Sequence, residues 1–324
     1  MEFRTIIENQ NPSFKISQDS KILTIGSCFS DVLGSYLQKN KMDCLINPFG
    51  VVFNLFSIAN LLQKTINLDE IEGDLILTKD EVFFHYDYHS EIRAETKEGL
   101  TDKIKLKQKE VLDFVSKADF LILTLGTSWI YQLSENQRIV SNCHKQNSNL
   151  FEKRFLDQNE HLDIFENIYF SLKNLNPKLK IIVTVSPVRH TKDTLVLNSL
   201  SKANLRLACD VFTKKFVDVF YFPAYEIMMD DLRDYRFYKS DLIHPNEVAE
   251  QYIVDLFSKW YFDENLINFI KEWRKIITAL AHRPFNPQNS KHQEFLQKIK
   301  EKIEAFDNQI DTNAELDFIN QNLI

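Results

Sequence analysis

Ser27, Asp241 and His244 are the residues of this 324-residue chain whose types and placement best fit a chemical task. Ser27 stands in Gly26-Ser27-Cys28-Phe29-Ser30, directly after the apolar run Ile22-Leu23-Thr24-Ile25. A turn from a buried strand into a helix exposes a hydroxyl there, beside backbone N–H groups that the helix itself leaves free. Far down the chain, Asp241-Leu242-Ile243-His244 sets a carboxylate and an imidazole three residues apart, just before Pro245-Asn246 can start another helix. A serine hydroxyl is a poor nucleophile until a hydrogen-bonded imidazole removes its proton. A carboxylate then fixes the imidazole tautomer and stabilises the cation that forms. Each element alone has a structural alternative, since Gly-Ser serves as a turn with an N-cap and Asp241 with His244 can cap the next helix. Their conjunction, in the chain order Ser, Asp, His, favours nucleophilic catalysis.

Other clusters carry weaker signals. His85-x-Asp87-x-His89 would place three metal-ligand types on one face of a strand, but Tyr86 and Tyr88 equally suit an ordinary alternating strand, and no metal or organic cofactor is expected. Cys143-His144 pairs a thiol with a base or simply packs near a site wall. Cys28, next to Ser27 at a helix N-terminus, is an alternative thiol nucleophile. Arg189 and His190 end a strand, where they contact substrate or pair structurally. The charges from Asp230 to Arg236 form a solvated or salt-bridged surface, or lock the loop that presents His244.

The elements that position these groups alternate. Strands are expected at Lys21 to Ile25, Cys44 to Ile46, Phe120 to Leu125, Lys180 to Val185 and Val217 to Phe222, with helices at Asp31 to Lys39, Ser57 to Leu68, Glu110 to Lys117, Ile164 to Leu175 and Leu197 to Phe216. Leu75-Ile76-Leu77 and Val82-Phe83-Phe84 read as a hairpin inserted at about 71–95. The alternation predicts an α/β fold: a three-layer α/β/α sandwich, flavodoxin-like, around a mainly parallel sheet of about five strands. Only six glycines are present. Three of them, Gly26, Gly50 and Gly126, fall at or just beyond strand-like runs, at the sheet edge where open α/β sheets bind ligands.

After His244 an apolar face runs through Val248, Tyr252, Ile253, Leu256, Phe257 and Trp260. Further helical stripes follow at Leu266 to Leu280 and from Phe295 to Phe306, separated by Arg283-Pro284-Phe285-Asn286-Pro287. Residues 1–282 are therefore expected as one domain and 283–324 as a helical C-terminal extension. Net charge of −7 and the absence of a basic stripe argue against nucleic acid as a partner. No run is long enough to span a bilayer, and the N-terminus lacks a signal-peptide pattern, so no membrane partner and a cytoplasmic location are expected. Four scattered cysteines without C-x-x-C pairs suggest reduced thiols. Oligomeric state is not legible.

From about Lys21 to Trp260 the chain resembles the GSCFA family of the SGNH (GDSL-like) hydrolase superfamily. The resemblance rests on Ile25 to Ser30, Asn47-Pro48-Phe49-Gly50-Val51-Val52-Phe53-Asn54, Thr124-Leu125-Gly126-Thr127-Ser128-Trp129-Ile130-Tyr131 and Asn142-Cys143-His144-Lys145. It continues through Thr184-Val185-Ser186-Pro187-Val188-Arg189-His190, Tyr225 to Tyr238 and Asp241 to Pro245. Ser30 stands where the family name has alanine. The resemblance implies hydrolysis of O-acyl esters or acyl transfer from oxygen on a small-molecule or carbohydrate ester, with Ser27 as nucleophile, His244 as base and Asp241 orienting it. It also implies an oxyanion site made by the Ser27 N–H, Gly50 and an asparagine after the third strand. Here Ser128 occupies the asparagine place, and Asn142 is the other candidate donor. Asn47, Trp129, His144, Arg189 and His190 are the expected substrate contacts. The alternative is a catalytically weak acyl- or carbohydrate-binding protein on the same fold.

Overall fold

The computed structural model describes residues 4–8, 12–282, 284–306 and 309–323. Met1 to Phe3, read above for a signal peptide, and Arg283, at the expected boundary, lie outside the described residues. Apolar runs flanked by turn residues form five parallel strands: β1 (Ile22–Gly26), β2 (Cys44–Ile46), β5 (Phe120–Leu125), β9 (Lys180–Val185) and β10 (Val219–Phe222). Their order across the sheet is β10-β9-β5-β1-β2. Chain direction across the sheet reverses between β1 and β5, so their carboxyl ends open the crevice in which such sheets bind ligands. Ser27 follows β1 at that edge, Gly126 follows β5, and Ser186 follows β9.

Side chains alternate across the sheet and feed two cores. Leu23, Ile25, Leu121, Leu123, Ile181 and Val183 pack on one face against α2 (Leu55–Asn67), α3 (Lys97–Val115), α4 (Gln158–Leu175) and α5 (Thr194–Lys215). Ile22, Ile122, Ile182 and Phe222 pack on the other against α1 (Cys28–Lys39), α7 (Glu247–Tyr261) and the first half of α8 (Glu264–Leu280); the single turn α6 (Ala224–Glu226) links β10 toward α7. The chain is thus the expected three-layer sandwich. Among the described residues no helix is long and apolar enough to cross a membrane.

The expected hairpin forms as β3 (Ile76–Lys79) and β4 (Val82–His85), antiparallel, with Leu77 opposite Phe84. Its two-residue turn, Asp80 and Glu81, has φ of 50° and 61°. Positive φ at both central positions matches the right-handed strand twist. Three readings change. Helix α3 starts at Lys97, well before Glu110, because Thr96 caps it by accepting from the Gly99 N–H and a sparse stripe of Leu100, Ile104, Val111 and Val115 is enough to bury it. A second antiparallel sheet, in the order β7-β6-β8, joins β6 (Trp129–Leu133), β7 (Ile139–Val140) and β8 (Phe151–Phe155). The charged run Glu152-Lys153-Arg154 conceals β8 as a strand. The C-terminal helices α9 (Ser290–Glu304) and α10 (Asn313–Asn322) share a third core with Trp273 and Ile276, so α8 belongs to both regions and the apolar boundary falls inside it rather than at 283. Lys41 pairs with Glu315 at 2.8 Å and the Trp273 indole donates to the Lys39 carbonyl, fastening this unit to the end of α1.

Candidate active site

Ser27 is the N-cap of α1, in extended backbone, and its Oγ accepts weakly from the Phe29 N–H at 3.4 Å. The preceding Gly26 has φ of 147°, and a Cβ there would lie 2.2 Å from the Thr124 carbonyl oxygen, so only glycine lets β1 approach β5 this closely. Asn47, in the loop after β2, accepts from the Gly26 N–H at 2.8 Å and donates to Asp31 at 2.6 Å. Asn47 therefore holds the turn that presents Ser27. The serine is 3% exposed and its hydroxyl donates to Ser186 Oγ at 2.8 Å. Ser186 Oγ in turn accepts from the Val188 N–H at 3.2 Å.

Asp241 and His244 lie on an exposed loop before α7, with side chains 43% and 36% exposed. Asp241 Oδ2 meets His244 Nδ1 at 2.7 Å, while Asp241 Oδ1 accepts from the backbone N–H groups of Ile243 and His244. The hydrogen bond from the imidazole, followed by those two backbone donors, holds the Asp241 carboxyl down at about 2. Because an ionised carboxylate only accepts, Nδ1 carries the proton in the neutral ring and Nε2 keeps its lone pair. The loop is tied to the strand edge where Arg189 N–H donates to the Ile243 carbonyl, and to its own stem where Lys239 N–H donates to the His244 carbonyl. Arg189 lays its guanidinium 4.0 Å from the centre of the Tyr238 ring. His244 and Ser27 are not hydrogen-bonded to each other, since the serine hydroxyl is turned to Ser186.

The expected oxyanion donors are differently engaged. Ser27 N–H donates to the Thr124 carbonyl at 3.0 Å, extending the β1–β5 ladder by one residue, and Gly50 N–H donates to the Asn47 carbonyl at 2.7 Å. Ser128 is fully buried; its hydroxyl donates to the Ser201 carbonyl and accepts from Asn204 of α5. Ser128 thus fastens the start of β6 to α5. Asn142 sits beyond the hairpin, donating to Ser90 Oγ at 3.4 Å and accepting from the His144 N–H. His144 is buried with both ring nitrogens used, Nε2 donating to the His85 carbonyl and Nδ1 accepting from Ser90. Burial pushes its imidazole toward the neutral form. Trp129 packs on Phe155, with the Lys153 ammonium over its ring, and its indole N–H is buried without a partner.

Nor do His85, Asp87 and His89 converge, because β4 ends at His85 and the chain turns. The buried Asp87 carboxylate bonds the Lys64 ammonium at 2.6 Å, Lys64 reaches Glu72, and Glu72 pairs with Arg138. This ion-pair chain clamps the hairpin onto α2. His89 instead covers Gly50, whose φ is 74° and where a Cβ would lie 2.3 Å from the histidine Cβ. Among the described residues no group of three or more His, Cys, Asp or Glu could hold a metal ion. At Cys28, burial and then the Asp31 charge push the thiol pKa up, which works against thiolate chemistry beside Ser27.

Two site residues escape sequence reasoning. Ser186 is one, although a serine just past a strand end was a usable signal. Lys202 is the other: fully buried on α5, it donates to the carbonyls of Gly126 and Ser186, each at 2.8 Å, and so pins the ends of β5 and β9 behind the serine pair. Desolvation pushes its ammonium down to about 7. Its signal is a lysine at the same helical spacing as Asn198, Leu205, Cys209 and Phe212, all on the buried face.

Comparison with known proteins adds the family. A protein of Streptococcus pneumonia named for platelet activating factor aligns at 12% identity over 74% of this chain and 83% of its own, with a TM-score of 0.39. A carbohydrate esterase family 3 structure from Talaromyces cellulolyticus aligns at 11% identity over 78% of this chain and 99% of its own, with a TM-score of 0.36. Likenesses at this level decide nothing about chemistry. A search of curated proteins finds no match. The sequence pattern of the GSCFA family matches residues 21–257, and that of the GSCFA domain protein, C-terminal domain, matches residues 273–324. The second match starts at Trp273, where the third core begins. By the first match, which spans every strand of the parallel sheet and each of Ser27, Asp241 and His244, this chain belongs to the GSCFA family.

Proposed function

We propose that this chain is a serine-dependent enzyme acting on O-acyl esters of a small molecule or carbohydrate, without a metal. The observation that carries the reading is the Asp241–His244 pair at 2.7 Å, which leaves Nε2 free as a base on the edge that also presents Ser27. In this reading Ser27 Oγ exchanges its bond to Ser186 for one to Nε2 before the chemistry starts. Ser27 Oγ then attacks the ester carbonyl as its proton passes to Nε2, and the carbonyl electron pair moves onto oxygen. Collapse of this intermediate expels the alcohol, which takes the proton from His244, and leaves an acyl-serine. Water, or a second hydroxyl in a transferase, attacks that ester with His244 again accepting the proton, and collapse breaks the acyl–Oγ bond, returns the proton to Ser27 and releases the acid or the new ester.

A specific observation favours the binding-protein alternative, namely that the hydroxyl and both expected backbone donors are engaged inside the protein. Mixing with an activated acetate ester separates the two. The enzyme reading predicts a burst of alcohol equal to the protein concentration that disappears in Ser27→Ala. Saturable ligand binding with no burst in the wild type, or an unchanged burst in Ser27→Ala, contradicts it.

A further inference from the structure

We propose that His190 supplies the side-chain hydrogen bond to the oxyanion, in place of Ser128 and Asn142. This rests on the reading of Ser27 as the nucleophile. A tetrahedral oxyanion needs a donor that is aimed at the nucleophile's edge and is not already spent. Ser128 fails on both counts, buried against α5 with its hydroxyl donated to Ser201, and Asn142 is committed to Ser90.

His190 meets them. Its Nε2 is enclosed by protein and makes no hydrogen bond. A Cβ built on Gly126, at the end of the strand between those of Ser27 and Ser186, would come within 3.1 Å of that nitrogen. The Phe53 ring lies 5.3 Å from the imidazole on the same side, and Phe53 O accepts from the Gly126 N–H. Glycine at 126 thus lets the imidazole edge lie against the end of the strand flanked by the serine pair. Backbone contacts fix the ring's approach: His190 N–H donates to Asn198 Oδ1, and the neighbouring Arg189 N–H donates to Ile243 on the loop of His244. Burial, then the Lys202 and His244 charges, hold the His190 pKa down to about 3, so the ring is neutral over the working range. In the Nε2–H tautomer it can donate without competing for the serine proton. A buried, unpaired donor is costly unless something occupies it, and the developing oxyanion is the group that would.

The test uses the full chain and a fluorophosphonate, whose phosphorus an activated serine attacks with loss of fluoride while negative charge builds on the phosphoryl oxygen, alongside turnover of an activated acetate ester. In His190→Ala both the labelling rate and kcat fall by about a hundredfold, with KM within about threefold of wild type, as for loss of one oxyanion donor. His190→Gln, which keeps an N–H, recovers at least about tenfold of that loss. The inference is overturned if Ser27 labels normally in His190→Ala, if the effect falls on KM alone, or if His190→Gln is as slow as His190→Ala while both retain native circular dichroism. A wild-type protein that does not label at Ser27 removes the underlying serine reading, a separate outcome that also ends this inference.

Discussion

The two halves of the proposed triad are held in opposite ways. Ser27 is enclosed at the end of a buried strand, fixed by the Gly26 turn, the Asn47 bonds, Ser186 and, behind it, Lys202. His244 stands on an exposed loop whose attachments are backbone bonds at Arg189 and Lys239 and the carboxylate of Asp241. Buried hydrogen bonds are strengthened by low dielectric, while exposed loops open at little cost. On the proposed reading the nucleophile is the fixed point, and the Ser27–His244 bond is completed from the loop side.

If this contrast is right, the exposed half fails through chemistry and the buried half through stability. The largest effect is expected in Asp241→Asn, where Nδ1 loses its anionic acceptor and the wrong tautomer becomes available: kcat should fall at least about a hundredfold with little change in melting temperature. In the wild type, Asp241 stays ionised down to about 2, so this carboxylate should add no proton to the kcat/KM profile above pH 4. A limb requiring two protons would contradict this.

Lys202→Met should act on the fold. Removing both bonds to buried carbonyls is expected to cost about 2 to 4 kcal/mol at pH 9, read by denaturant unfolding. The sign of its pH dependence follows from an ammonium at about 7 in the folded chain against 10.5 when free. Between these values the unfolded state holds the extra proton, so Lys202's contribution rises from pH 7 to pH 10.5 and is lost as pH falls through 7. The variant should lack that rise, and an identical pH profile in both proteins would remove the buried lysine from the account.

The smallest effect tests a negative. Ser128→Ala should lower stability by about 1 kcal/mol, the value of a buried hydrogen bond, and leave kcat within about twofold. A tenfold loss of kcat at unchanged KM would reinstate Ser128 as the oxyanion donor.

What the sequence reveals follows the same division. Strands β5 and β9 are legible to the residue, because fully buried parallel strands read as continuous apolar runs. Ser27, Asp241 and His244 could be singled out as candidates because catalysis would demand particular residue types in a particular order. Their hydrogen bonds were not: whether Ser128 faces a ligand or α5 depends on Ser201 and Asn204, more than seventy residues away. The first half of helix α3 and the β6–β8 sheet were missed because half-exposed elements bury few side chains each. The Lys202 signal was present but masked, since a lysine on a helix reads as surface unless its neighbours at helical spacing are counted.

The most direct test of the central claim is a crystal structure of the fluorophosphonate-treated protein. The expected result is a phosphorus–oxygen bond to Ser27, with His244 Nε2 within about 3.2 Å of an adduct oxygen and still paired through Nδ1 to Asp241. An adduct on Cys28, or one on Ser27 with His244 turned to solvent and out of reach, would contradict the account.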